Sequence, residues 1–490
     1  MLIRQSAGDE QPVGSARAAR RIQVADRYDL VIVGMGSGGM VAAEFAATLD
    51  LKVAVAERSR VGGDCLWTGC VPSKALLASG KTAHHMRTAD DFGIDPVEPT
   101  IDRGNVWKRI QSVQQEIAST DDNPQRYEDM GVEIVYGHAK LIDKHRVQVG
   151  DRTLETRYVL LCTGSRPAVP PIDGLQDAGF VTSENLFELD EIPASFVNIG
   201  GGPICVEMTQ GFTRLGIPAT LLQKGPRILP RDEPALVDKL VDKLRTEGVD
   251  LRFNVATQKV TVENGKKVVH GTEDGKPTTW SADELLVAVG RVPNKEGLGL
   301  EELGIETTPK GVVVDNRGRT TVDNIYACGD LAGRYLFTHS AAYEGVRAVR
   351  DMFFPGKGKV VASVPWCTFT DPELAHTGKT EAEARQQHGD DIEVWHQDLE
   401  HNDRARADGA AEGAIMIITD KKKIVGAHIL APAAGEMIHE FALAIEEGVK
   451  LNELSQFMHV YPTYGTSIGQ LAGEAAFEKA EKLRWLVKRR

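Results

Sequence analysis

Twice in this chain an apolar strand runs into a glycine-rich turn and then into a helix, and few folds accommodate that order twice. The first unit opens with YDLVIVG (28–34), a short continuous apolar run of the kind a strand buried in a parallel sheet requires. Gly34-Met35-Gly36-Ser37-Gly38-Gly39 follows, then the helical stretch MVAAEFAATLD, then a second strand, KVAVAE, ending at Glu57. Each residue of this GxGxxG turn has a physical task. Gly34 permits the tight turn, Gly36 lets the backbone approach a pyrophosphate, and Gly39 lets the helix pack on the strand. Glu57 is placed to take ribose hydroxyls, so the unit reads as a dinucleotide site.

The second unit repeats the pattern with changes. SFVNIG (195–200) is the strand, Gly200-Gly201-Gly202-Pro203-Ile204-Cys205 the turn, VEMTQGFTRLG the helix and PATLLQ the next strand. Gly200 and Gly202 hold the turn positions, while Cys205 stands where the third glycine would be and sets helix and strand slightly further apart. The acid is also gone. Glu57 lies 23 residues after Gly34, and the residue 23 after Gly200 is Gln223. A carboxylate there repels a 2′-phosphate and an amide does not, and Lys224 and Arg227 follow to hold one. The unit therefore leans toward NADP(H) over NAD(H), a mild lean because Arg58, beside Glu57, matches Lys224 in position.

Two further stretches, RYVLLCTGSRP (157–167) and ELLVAVGRVPN (284–294), each run an apolar strand into a glycine turn and bracket the second unit, which reads as an insertion into the first. Thr163, Gly164 and Arg291 fall in these turns and are expected to bind cofactor. NIYACGD (324–330) is another strand, and Asp330 just beyond it is suited to a flavin's ribityl chain. The expected class is α/β: two Rossmann-like dinucleotide-binding domains, one inserted in the other, with an α+β domain after them.

Between the two units lies GGDCLWTGCVPSKAL (62–76), with four residues between Cys65 and Cys70. The N-terminal stretch through Arg27 is polar, without the apolar segment of a secretory signal, and reads as a mobile tail of a cytoplasmic protein. Structural disulfides are rare in the cytosol, so a close cysteine pair points to redox or metal chemistry. A zinc site lacks a second pair of ligands at useful spacing. The net charge of −13 and the absence of a long basic run argue against nucleic acid. No apolar run approaches the ~20 residues of a membrane span. Cys162, Cys205, Cys328 and Cys367 read as structural, the first and third as small apolar residues of buried strands.

GGDCLWTGCVPSK, the two glycine turns, TGSRP, VGRVPN and YACGD together resemble the pyridine nucleotide–disulfide oxidoreductases, over nearly the whole chain from about Tyr28. The resemblance implies FAD in the first site, NAD(P)H in the second, and a C-terminal domain that makes a homodimer and completes the partner's active site. The implied divisions are a tail (1–27), a first FAD-binding part (28–167), an NAD(P)-binding domain (168–290), a second FAD-binding or central part (291–362) and a dimerisation domain (363–490). Cys70 becomes the thiol against the flavin and Cys65 the one that exchanges with substrate. Lys74 matches the family lysine near the flavin, with Glu207 as its partner. Five residues of regular helix rise ~7.5 Å and turn about 500°. A disulfide needs Cα atoms roughly 4.4–6.8 Å apart, so the helix must be distorted here, and Gly69 and Pro72 permit it.

The acceptor is the open term. Lipoamide dehydrogenase and glutathione reductase use a C-terminal histidine as base, with a glutamate five residues on. Here HVYPTYGTSIG puts Tyr461 in the histidine position and Thr466 in the glutamate position, with His459 two residues earlier. A phenol with a pKa of about 10 is a poor base near neutrality. Tyr461 resembles mercuric reductase, whose metal substrate needs thiolates and no dithiol base. The mercuric reductase cysteine pair near the C-terminus is nonetheless missing. The leading expectation is a metal ion or metal–thiolate acceptor, with no resident metal. The alternatives are a small-molecule disulfide, as in dihydrolipoyl dehydrogenase, a quinone, or a redox-responsive FAD-binding protein without fast turnover.

Overall fold

The structure, a computed structural model, describes residues 27–356, 361 and 363–487. The tail expected over 1–27 lies outside these residues except for Arg27, which opens the first strand. That strand, β1 (Arg27–Val33), lies between β2 (Val53–Glu57) and β6 (Arg152–Leu161), parallel to both, with Val31 beside Ala54 on one side and Val159 on the other. β3 (Glu133–Tyr136) extends the sheet beyond β2, and the hairpin of β4 (Ala139–Asp143) and β5 (Arg146–Val149) extends it beyond β6. Apolar clusters cover both faces of this sheet, one around Val31, Val159 and Ile325 and the other around Leu30, Ile32 and Val55. Burial on both faces explains the unbroken apolar runs of the sequence.

Helix α1 (Ser37–Ala47) follows β1 through the glycine turn. Gly34 has φ +100°, and a Cβ on it would stand 2.5 Å from the Cys162 carbonyl oxygen; one on Gly39 would stand 2.0 Å from that of Gly34. Only hydrogen fits at either place, which is how the helix lies down on the strand.

After β6 the chain makes the short β7 (Ser165–Pro167) and enters a second parallel sheet, ordered β10 (Asp250–Arg252), β9 (Ala219–Leu222), β8 (Phe196–Ile199) and β14 (Glu284–Val287). An antiparallel sheet of β11 (Val255–Glu263), β12 (Lys266–Glu273) and β13 (Lys276–Ala282) accompanies it. The chain returns through β15 (Arg291–Pro293), which pairs antiparallel with β7. Outgoing and returning strands lie side by side, as an inserted unit requires. β16 (Ile325–Ala327) then rejoins the first sheet, parallel to β6. The last unit is a five-stranded antiparallel sheet of β17 (Trp366–Thr368), β18 (Glu373–Gly378), β21 (Lys423–Ala431), β20 (Ala414–Asp420) and β19 (Ile392–Asp398), in that order. Its apolar cluster packs Ile415, Ile417 and Ile429 against Ile438, Phe441 and Leu471 of two C-terminal helices.

The C-terminal ends of β1, β6 and β16 all point one way, as do those of β8 and β14. Loops at such ends form the binding crevice of open parallel sheets. No helix of the described residues is long and apolar enough to cross a membrane.

Candidate active site

The cysteines sit on two helices, not one distorted one. α2 (Gly63–Trp67) carries Cys65, the chain breaks at Thr68 and Gly69, and α3 (Cys70–Arg87) begins with Cys70. Gly69 is held at φ −122°, ψ −107°. A Cβ there would stand 2.9 Å from the Asp64 carbonyl oxygen. Cys65 is half-buried and Cys70 exposed, both as free thiols in the wall of one cavity of about 1410 Å³. A hydrogen bond from the Cys65 thiol, helped by Thr338 and the Lys74 ammonium, pulls Cys70 down to about 6 against the opposing effect of burial. The same bond, with burial, holds Cys65 protonated well above the ordinary thiol range. Cys70 is thus the thiolate of the pair at neutral pH, at the start of a helix whose free N–H groups favour negative charge.

Lys74 lies one turn further along α3. Its Nζ donates to Glu207 Oε2 at 2.8 Å, and sits 4.3 Å from the centre of the Phe369 ring. Glu207 comes from α4 (Pro203–Arg214), the helix after the second glycine turn. Its other oxygen accepts from the Phe369 backbone N–H at 2.9 Å. The Glu207 side chain is 6% exposed and that of Lys74 37%. The pair therefore ties all three units together beside the cysteines and leaves the ammonium open to the cavity.

The cavity runs from the first glycine turn to the second, past Cys65, Cys70 and Lys74. Neither α1, capped by Gly36, nor α4, capped by Gly202, has a side-chain cap on its N-terminus, so the leading N–H groups remain for an anion. A Cβ built on Gly164 or Gly202 would meet nothing within 4 Å, which leaves room for a phosphate or a ring. Glu57 is buried, its two oxygens accepting from the Met35 and Ser59 backbone N–H groups, each at 2.7 Å. Thr163 donates to the Asn294 carbonyl at 2.7 Å, locking the turns after β6 and β15 together. Asp330 accepts from Ser165, whose oxygen accepts in turn from Arg291 Nε at 2.6 Å; Arg291 also pairs with Asp64. Burial raises the Asp330 carboxyl above the usual range. These features fit two dinucleotides lying end to end, each with its phosphates on a glycine turn.

Some expected residues stand elsewhere. Lys224 lines the cavity, but Arg227 faces away from it, forming a two-point ion pair with Asp238 at 2.9 and 3.0 Å. Arg227 is already matched by a carboxylate, which the spacing from Gly200 does not reveal. Tyr461 is outside the cavity and 67% exposed, its hydroxyl donating to Asp403 at 3.0 Å. It stands among exposed Phe457, Met458 and Val460, the kind of apolar surface a second subunit covers. His459 is turned to Glu440, 3.1 Å away, and Thr466 accepts from the backbone N–H of Thr463. His339, on the helix that follows Asp330, bonds the Pro365 carbonyl at 2.8 Å.

Three contacts at the site have no signal in the sequence spacing. Thr338, at the start of α5 (Thr338–Phe353), puts its hydroxyl 3.4 Å from Cys70 Sγ. Phe369 supports the Lys74–Glu207 pair. Trp366 donates to Asp232, whose carboxyl burial pushes up to about 6, and stacks on His376.

Comparison with known proteins gives a consistent picture. The sequence pattern of the pyridine nucleotide-disulphide oxidoreductases matches residues 28–345, and that of their dimerisation domain residues 364–472. The chain is 34% identical to a dihydrolipoyl dehydrogenase of Bacillus subtilis over 91% of its length and 95% of the relative's. It is 31% identical to a mercuric reductase of Bacillus cereus over 89% of its length and 69% of the relative's. Among solved structures, the HOCl-induced flavoprotein disulfide reductase RclA from Escherichia coli superposes with a TM-score of 0.80 at 28% identity, covering 91% of this chain and 99% of that one. The same protein has been solved as a Cu(II) complex. The chain belongs to the pyridine nucleotide–disulfide oxidoreductases, as an FAD-dependent enzyme with the family's dimerisation domain.

Proposed function

We propose that the protein is a cytoplasmic homodimer that passes electrons from NADPH, through FAD and the Cys65–Cys70 pair, to a metal ion or metal–thiolate such as Hg(II) or Cu(II). The units in this reading are 28–167 with 291–362 for FAD, 168–290 for the nicotinamide dinucleotide and 363–490 for dimerisation. The observation that carries the choice of acceptor is Tyr461. It stands where a dithiol-handling relative needs a base, and its hydrogen bond to Asp403 raises the phenol above its ordinary pKa.

FAD supplies two-electron transfer between the nicotinamide and the cysteine pair. Gly34, Gly36 and Gly39 shape its pyrophosphate turn, Glu57 meets its ribose, and Thr163, Gly164, Asp330 and Arg291 border its central part. Gly200 and Gly202 take the nicotinamide dinucleotide's phosphates, with Lys224 toward the 2′-phosphate; Arg227 would have to leave Asp238 to join it. Cys70 presents its thiolate inward, and Cys65, holding the proton, is the thiol that meets substrate. Lys74, oriented by Glu207, offsets negative charge beside Cys70. The partner subunit's Tyr461 closes the mouth of the site. When both thiolates close to a disulfide they release two electrons, enough for one Hg(II) or two Cu(II).

A second reading, a small-molecule disulfide reductase, is favoured by the dihydrolipoyl dehydrogenase identity and by the imidazole of His459 on the Tyr461 loop. Anaerobic titration with NADPH separates these readings from a simple flavin reductase or a redox-responsive binding protein. A long-wavelength absorbance band after two electrons, absent in Cys70→Ser, is expected. Reduction that stops at the flavin would remove the cysteine pair from the route. The reduced enzyme is then offered Hg(II), Cu(II), lipoamide and a quinone in turn. Reoxidation by the metals and not by lipoamide supports the first reading, and the reverse supports the second.

A further inference from the structure

Two thiols outside the proposed electron route also stand together. β6 ends at Leu161 and β16 at Ala327, and these two residues are partners in a parallel register. The next residue of each strand is a cysteine. Cys162 and Cys328 are 166 positions apart in sequence, and their Sγ atoms are 3.3 Å apart. Neighbouring strands lie about 4.7–4.9 Å apart, inside the Cα separation a disulfide accepts. Both backbones are fixed: Cys162 N–H donates to Val33 at 2.7 Å, and Cys328 N–H to Leu161 at 3.1 Å.

The two sulfurs are not equivalent. Cys328 is buried at the start of α1, so close that a Cβ on Gly38 would stand 3.0 Å from its sulfur. Its proton is held by the hydrogen bond to Cys162 and by burial. Both cysteines line the cavity wall with Gly34 and Thr163, and Cys162, half-buried where Cys328 is buried, is the more exposed sulfur.

We propose that Cys162 and Cys328 are a second redox pair, closed to a disulfide by hydroperoxides. Cys162 Sγ attacks the O–O bond of hydrogen peroxide, forming a sulfenic acid and releasing one water. Cys328 Sγ then displaces the hydroxyl, which leaves with the Cys328 proton as a second water. Two thiols lose two electrons and the peroxide gains them. The new bond staples β16 to β6 beneath the glycine turn that carries FAD. It is independent of which acceptor the Cys65–Cys70 pair serves.

The test uses the FAD-loaded Cys65→Ser/Cys70→Ser protein, so that the catalytic pair cannot contribute. It is treated with hydrogen peroxide, alkylated, digested without reductant and mapped by mass spectrometry. The expected product is a Cys162–Cys328 cross-linked peptide, lighter by two hydrogens than the two free peptides and lost on adding dithiothreitol. Adding Cys162→Ala or Cys328→Ala, each checked for unchanged FAD content, abolishes it. Full alkylation of both thiols after peroxide, or Cys162 recovered as sulfinic acid with Cys328 still free, overturns the proposal.

Discussion

Cys65 sets the protonation of Cys70, and this can be measured by replacing it two ways. The Cys65 thiol is the largest influence lowering Cys70 to about 6, ahead of Thr338 and Lys74. Cys65→Ala removes that donor and leaves the other two. Cys65→Ser keeps a hydroxyl in its place. A free thiol titrates at about 8.5, and once Cys65 is gone burial opposes what Thr338 and Lys74 still lower, so Cys70 in the alanine variant is expected at about 8 or above. At pH 7 a thiol with a pKa of about 6 is about nine-tenths thiolate, and one of about 8 is about one-tenth. The serine variant is expected within about half a unit of the native value. The assay is the pH profile of iodoacetamide labelling at the Cys70 peptide of reduced enzyme, quantified by mass spectrometry. The midpoint is the readout, not the rate at one pH, because a more basic thiolate is also a better nucleophile and offsets part of the lost population. Equal midpoints in the two variants, or an alanine midpoint below about 7, would refute Cys65 as the controlling donor.

Lys224→Glu places a carboxylate where the proposed 2′-phosphate lies, so KM for NADPH should rise about ten-fold while KM for NADH stays within about two-fold, read by steady-state kinetics with each nucleotide. Gly39→Ala pushes a methyl group to within 2.0 Å of the Gly34 carbonyl oxygen, and the purified protein should lose most of its FAD, as its absorbance spectrum will report. Arg214, 5% exposed, is paired with Glu247 at 2.7 Å and Asp371 at 2.8 Å. Arg214→Met takes the main cation from both carboxylates, leaving Asp371 with Lys81 and Glu247 with the Gln210 amide, and should cost about 3–5 kcal/mol in urea unfolding, the range for breaking a buried ion pair from one side.

What could be read from the sequence was whatever depends on the local backbone. Gly34 and Gly39 are dictated by space within a single strand–turn–helix unit, so the GxGxxG spacing carried them. The cysteines were equally plain, although the sequence suggested a distorted helix where the chain makes two helices with a break at Thr68–Gly69. Contacts between units were harder to find. Thr338 reaches Cys70 across 268 positions, and Phe369 reaches Glu207 across 162. No spacing rule encodes such distances. Arg227 shows the opposite failure: the spacing pointed to a phosphate, and Asp238, eleven residues on, pairs with the guanidinium first. Cys162 and Cys328 lie between. Each follows the last residue of an apolar strand and stands one or two residues before a glycine, and that shared placement is the available signal. Nothing within either strand's own sequence marks the other as its neighbour in the sheet.

The two acceptor readings differ chiefly in protons. Reducing a disulfide to two thiols requires two protons delivered at the sulfurs. Reducing a metal ion held by thiolates requires none, and binding it releases protons from the thiols. The loop that would deliver them is arranged for other work. Tyr461 gives its hydroxyl proton to a hydrogen bond with Asp403, an interaction that makes the phenol harder to ionise. Thr466, in the place of a carboxylate that would orient a base, is used to hold the backbone of its own loop. His459 has the right chemistry but is 15% exposed and turned to Glu440, on the neighbouring helix instead of toward the loop's exposed rim. What that rim offers is Phe457, Met458, Val460 and Tyr461, with Met458 97% exposed. An apolar rim bearing a thioether and a phenol has little to give a dithiol, but it suits a soft metal ion, for which sulfur is a ligand and water a competitor.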